Sequence, residues 1–205
     1  MRGLIILCIV LCGCAAPPRP TATAEAMVVA FADDFHSGIV IERAAAPPAL
    51  LPVQLAGAPW IAFHFGERQW IRGEADGICD AVGLALCSGD GGVQVDAVSW
   101  WVHARGGTDP SRVRVWAFLV SAAELRTLQA RLESWVSPGA AREPIRPGSC
   151  WWPARRAWSL RTNCHDFTVD LLQAAGVIVD RPPLMLAAPL RAALDRAWSA
   201  RDLPP

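Results

Sequence analysis

The chain contains no lysine and no tyrosine, and its nineteen basic residues, all arginine, are matched by nineteen acidic ones. With zero net charge and no basic block, nucleic acid is excluded as the main partner. The arginine-only usage reads as compositional bias, because no physical requirement explains it. Beyond residue 14 there is no C-x-x-C pair, which excludes a structural zinc ribbon and a thioredoxin-type motif. No H-E-x-x-H or zinc-deaminase spacing occurs, so no metal centre is expected. The absence of G-x-S-x-G removes the usual serine-hydrolase elbow. Ser88-Gly-Asp-Gly-Gly92 does not lead from a clear strand into a clear helix, so it is not read as a phosphate-cradling loop, and no cofactor is implied.

What is present suffices for one folded domain. The chain has 205 residues, of which 53% are hydrophobic and 19% charged, enough for one full core and too few for two comfortable ones. Its start is set apart. Arg2 precedes a short apolar run, Leu4 to Leu11, well below the roughly 20 residues a bilayer span needs and suited to a signal peptide. Leu11-Cys12-Gly13-Cys14 resembles a bacterial lipobox; the alternative is ordinary secretory cleavage near Ala15–Ala16. The expected organisation is a lipoprotein signal peptide over 1–13, a lipidated Cys14 with a Pro/Ala/Thr tether over 14–26, and a single domain over 27–205. Ala15 after the cysteine resembles the outer-membrane default of Gram-negative bacteria, so the expected location is the cell envelope, facing the periplasm, with the membrane reached through Cys14. In that oxidising compartment Cys79 and Cys87, close together in a Gly/Asp-rich segment, form the candidate disulfide; the alternative is two small buried residues.

Period-2 patterns predict strands over Met27–Ala32, Phe35–Glu42, Trp60–Phe65, Ala97–His103 and Arg112–Val120. The third strand is expected to continue towards Ile71 after a bend, and a short helix is expected near Ile78–Leu86. Ser121-Ala-Ala-Glu124 is a capping box opening a helix that runs to about Trp135. Ser137–Gly148 reads as a loop, and Trp151, Trp152 and Trp158 as an arginine-studded aromatic segment that packs on a sheet or rims a ligand site. A helix after Asn163 and another over Leu190–Trp198 complete an α+β chain, with strands in the middle and helices at the end.

The stretch Thr162-Asn-Cys-His-Asp-Phe167 carries the chemistry. Asn163 is a good N-cap, Asp166 three residues later gives a variant capping box, and Gly176 is the expected stop. Cys164 then takes the first helical position, where backbone N–H groups and the dipole stabilise a thiolate and could hold an oxyanion. Cys164, Phe167, Thr168, Leu171 and Ala175 share one helix face, so the sulfur points at the sheet. There it is inert unless a histidine meets it. His36 and His64 are the candidates, each beside small residues on its strand face. His165, about 100° around the helix from the cysteine, is expected to face outward or rim a pocket.

Asn163-Cys-His-Asp-Phe167 before an amphipathic helix resembles the N-C-E-H-F box of the lecithin:retinol acyltransferase-like group, and Phe35-His-Ser-Gly-Ile-Val-Ile-Glu42 resembles that group's first-strand histidine motif. The layout is more similar still to a bacterial family, some members of which are found near urease genes, with H-T-G-I-V, then G-W-G-D, then N-C-N-T-W. The counterparts here are His36–Val40, His64-Phe-Gly-Glu67 and Asn163–Phe167, three islands in order across residues 27–180. The resemblance implies an antiparallel sheet with packed helices of the circularly permuted NlpC/P60, papain-like type. It implies Cys164 as nucleophile and His36 as general base. For the third, orienting group it suggests His64, or Glu67 from the acidic glycine-rich segment, with His103 a further option.

The leading functional expectation is a cysteine hydrolase or acyltransferase acting on an amide or ester. A peptidoglycan peptide is favoured as substrate and an acyl lipid comes second. The alternative is a non-catalytic, lipid-anchored binding module on the same fold. A metal site from His36, His64 and His103 or Cys164 ranks last.

Overall fold

Alternation in the middle of the chain becomes one antiparallel sheet. The computed structural model describes residues 26–74, 83, 89–98, 113–181 and 187–200. The lipobox cysteine Cys14, Cys79, Cys87, His103, the expected 78–86 helix (apart from Gly83, which is helical) and all but the first two residues of the expected 97–103 strand therefore lie outside the described residues. In chain order the strands are β1 (Ala26–Ala32), β2 (Ser37–Glu42), β3 (Trp60–Glu67), β4 (Gly91–Ala97), β5 (Arg114–Val120), β6 (Glu143–Arg146) and β7 (Ser149–Pro153). The helices are α1 (Arg68–Arg72), α2 (Ala122–Trp135), α3 (Cys164–Ala174) and α4 (Ala187–Ser199). The sheet has seven strands in the order β5-β1-β2-β3-β4-β7-β6, with every pair antiparallel. The architecture is α+β, as the distribution of patterns implied. Among the described residues no helix is long and apolar enough to cross a membrane.

The two faces of this sheet differ in chemistry. Val28, Ala30, Ile39, Ile41, Ile61, Phe63, Phe65, Val93, Val95 and Phe118 alternate onto one face and are buried in the main core. Helix α3 packs on that face against β2 and β3, and α2 packs on α3. Phe65, Trp135 and Phe167 pack as an aromatic trio there, with centroid separations of 5.0–6.1 Å, within the range favoured for aromatic pairs. The opposite face carries Phe31 and Ala62 in a second, smaller apolar cluster. Beside them the register places Ala62 opposite Asp96, His64 opposite Gln94, and Asp96 opposite Ser149. Four polar side chains thus line up across three strands, all buried.

Several elements depart from the sequence patterns. Residues 68–72 do not continue β3; Glu67 caps them as α1, its carboxylate accepting from the Trp70 N–H at 3.0 Å, and Gly73 closes the helix with φ 70°. Strand β4 lies at Gly91–Ala97 and only reaches the start of the expected Ala97 strand; Gly91 and Gly92 masked its alternation. The glycine at 92 is required, because Trp151 lies directly on the position a Cβ would take. The expected 137–148 loop contains β6, and Trp151 and Trp152 of the tryptophan segment lie in β7, with Trp151 buried and Trp158 beyond the strand. Helix α2 keeps its capping box, Ser121 and Glu124 bonding reciprocally.

Candidate functional site

Helix α3 starts where its sequence implied. Asn163 Oδ1 accepts from the backbone N–H groups of His165 (2.9 Å) and Asp166 (3.2 Å), and its own amide donates to the Leu160 carbonyl (3.0 Å). Asn163 is thus a cap. It occupies two of the first-turn amides that could otherwise hold an oxyanion. Gly176 ends the segment with φ 72°, a conformation that favours glycine.

Three hydroxyl contacts pin the first turn of α3 to the start of β2. Ser37 Oγ donates to the Cys164 carbonyl at 3.1 Å, Thr168 Oγ1 donates to the same carbonyl at 2.8 Å, and the two hydroxyls lie 2.9 Å apart. The Cys164 thiol is held at that junction, 8% exposed, with Sγ 3.8 Å from the Phe35 carbonyl. Phe35 directly precedes His36, so the thiol abuts the backbone that carries the expected base.

His36 opens a chain of hydrogen bonds across the sheet. Its Nε2 lies 2.6 Å from His64 Nδ1, and His64 Nε2 lies 2.7 Å from Asp96 Oδ2. Gln94 donates from Nε2 to both Asp96 oxygens (3.0 and 2.9 Å) and to Ser149 Oγ (3.0 Å). Burial pushes the Asp96 carboxyl up, but the hydrogen bond and charge of His64, with Ser149 and Gln94, outweigh it and hold the carboxyl below its usual range. An ionised Asp96 only accepts, so His64 carries its proton on Nε2. When His64 is neutral, its Nδ1 accepts from His36 Nε2, which leaves Nδ1 as the basic nitrogen of His36. A proton taken there is stabilised through His64 by the buried carboxylate, the logic of an oriented base.

Local sequence holds the two rings in place. Phe31 sits edge-on to His64 and tilted to His36, with both centroid distances 6.3 Å. Gly38 makes room for it: a Cβ there would lie 2.6 Å from the Phe63 carbonyl and 2.7 Å from the Phe31 ring. Asp33, buried, accepts from the N–H groups of Phe35 (2.8 Å) and His36 (2.6 Å), and its own N–H donates to the His36 carbonyl (2.9 Å). This side-chain-anchored turn sets the direction in which His36 leads into β2.

Of the candidate residues, the structure joins His36 to His64 by a hydrogen bond and sets the Cys164 thiol against the carbonyl of Phe35, the residue before His36. Glu67 is not in the chain of bonds; it caps α1. His165 does not face outward: it is 3% exposed, because α3 is covered on almost all sides. Sequence reasoning missed Asp96, Gln94, Ser149 and Asp33. The signal for two of them was Val93-Gln-Val-Asp96, an alternation that puts Gln94 and Asp96 on one face. Among the described residues no three His, Cys, Asp or Glu side chains converge to hold a metal. An open groove lined by Pro52, Leu55, Arg142, Pro144, Arg146 and Cys150 includes none of the candidate residues.

The other described cysteine differs sharply. Cys150 is a buried, free thiol in β7, pushed up to about 12 by burial and the nearby Asp96 charge. It is inert as a nucleophile at neutral pH.

Comparison of the chain with protein-family models, with curated proteins and with solved structures returns no match.

Proposed function

We propose that this protein is a cysteine hydrolase or acyltransferase on a circularly permuted NlpC/P60-like fold, anchored in the bacterial envelope through a lipidated Cys14. One observation supports it above the rest: the His36–His64–Asp96 chain ends beside the residue whose carbonyl contacts the Cys164 thiol. In this reading His36 accepts the thiol proton at Nδ1, and the thiolate forms an S–C bond to an amide or ester carbonyl. Collapse of the tetrahedral intermediate breaks the C–N or C–O bond, and the leaving amine or alcohol takes the proton from His36. Water, or another acceptor, then gives up a proton to His36, attacks the thioester and restores the thiol. His64 and Asp96 orient and stabilise the imidazolium without touching substrate. For an envelope lipoprotein, peptidoglycan peptides and acyl lipids are the carbonyl donors at hand.

A second reading, a non-catalytic envelope binding module, draws on a different observation. The His165 and Asp166 amides are engaged by the Asn163 cap, so they are not presented to an oxyanion. The pH dependence of Cys164 alkylation separates the two readings. A catalytic pair gives a midpoint well below the usual thiol value of ~8.5, shifted upward in His36→Ala and absent in Cys164→Ser. A thiol that stays unreactive, or titrates normally whether or not His36 is present, overturns the enzyme reading.

A further inference from the structure

The open groove at the β6 edge takes no part in the thiol chemistry, yet it has the makings of a binding site. Its volume is about 620 Å³, within the roughly 300–1,000 Å³ of ligand pockets. Leu55, from the Pro-rich connection between β2 and β3, lines it together with Ile145 of β6 and Cys150 of β7. Three prolines, Pro52, Pro144 and Pro147, stiffen the lining and supply no N–H group. Recognition of charge there falls to two cations, Arg142 and Arg146.

Among the described residues no aspartate or glutamate lines the groove. Other arginines of the chain are matched: Arg114 meets Asp195, Arg181 meets Asp166 and Arg191 meets Asp34. The carboxylate next in sequence to Arg142 is Glu143. It is turned to the other face of β6, as strand alternation requires, and Arg68 and Arg72 hold it there at 3.0 and 2.9 Å. The charge of Arg142 acts on the groove lining instead. Burial and the Asp96 charge push the Cys150 thiol up, and the Arg142 guanidinium counters them.

Strand β6 also fixes the spacing. Arg142 and Arg146 are four residues apart, roughly 13 Å in extended chain, shortened by the bulge between Pro144 and Arg146. An extended peptide presents every second side chain to one face. Acidic residues at its first and fifth positions therefore match the two arginines, and its third lies over the apolar lining. From this charge complementarity we infer that the groove binds a short acidic peptide, its carboxylates on Arg142 and Arg146 and an apolar side chain between them against Leu55 and Ile145. The site is separate from the proposed thiol chemistry and stands whether or not Cys164 is a nucleophile.

Isothermal titration calorimetry of the full mature chain with acetyl-Glu-Ala-Leu-Ala-Glu-amide tests the inference. Saturable binding is expected at roughly 0.1–1 mM. The glutamine analogue, acetyl-Gln-Ala-Leu-Ala-Gln-amide, should bind about tenfold more weakly, because two partly exposed charge pairs are lost. The serine analogue, acetyl-Glu-Ala-Ser-Ala-Glu-amide, should lose about threefold or more for want of apolar burial. Arg142→Gln, at an exposed position, should weaken the acidic peptide about threefold, and Arg142→Gln with Arg146→Gln about tenfold. No wild-type binding up to about 5 mM, equal affinity for the glutamine or the serine analogue, or unchanged affinity in Arg142→Gln overturns the inference. Should a thermal melt show the double variant to be misfolded, Arg142→Gln and the two analogues decide the matter alone.

Discussion

Cys150 and Cys164 are both buried thiols, and they sit in different surroundings. Cys150 lies inside β7 among core residues, where burial and the Asp96 charge both disfavour a thiolate. Cys164 lies at the first turn of α3, where the helix dipole favours negative charge, against the loop that carries His36. Asp96 acts on Cys150 and on the His36 side of the molecule in different ways. It repels a charge on Cys150 directly, and through His64 it favours a proton on His36. In the proposed mechanism burial does not decide whether a thiol reacts. The element that holds it and the polar groups within reach do.

That contrast can be broken from several sides. The largest expected effect is Cys164→Ser, which should cost any carbonyl-transfer activity ~10³-fold or more; Cys150→Ala should leave it within about twofold, measured on the same ester or amide. His36→Ala should lower the Cys164 alkylation rate at neutral pH by ~10²-fold, the low end of base contributions, with the midpoint moved upward. Replacing Asp96 by Asn sharpens the comparison through pH. The Asp96 carboxyl is held below its unfolded value, so its stabilisation is complete above a pH of about 3.9 and is lost as pH falls through the folded value. Thermal melts between pH 2 and 6 should show a smaller acid-induced drop in Tm for Asp96→Asn than for the wild type. Cys150→Ala should itself cost about 1–2 kcal/mol through lost core packing. At the small end, Arg114→Ala removes a half-exposed ion pair with Asp195 and should change stability by no more than ~1 kcal/mol in a denaturant titration.

The site was legible in part. The start of α3 could be read from Asn163 and Gly176, because capping and left-handed glycine conformations are local backbone chemistry that short sequence spacings report. His36 and His64 were visible as histidines on glycine- and alanine-bearing strand faces. Asp96 was not, because Gly91-Gly92 obscured the strand that carries it. Of the two positions expected for His165, facing outward or rimming a pocket, the outward one failed for a related reason: helix angle says where a side chain points, and only packing says what covers it.

Composition, caps and alternation by themselves determined that the chain is α+β and that a helix begins at Cys164. Those properties depend on residues a few positions apart. Strand order alone decided that His64, Gln94, Asp96 and Ser149 form one buried row, since β3, β4 and β7 are separated by long stretches of chain and meet only through antiparallel register. The tertiary structure likewise decided that Phe35 stays in solvent. The pattern around it points inward, and the buried Asp33 carboxylate turns the chain out before that pattern can act.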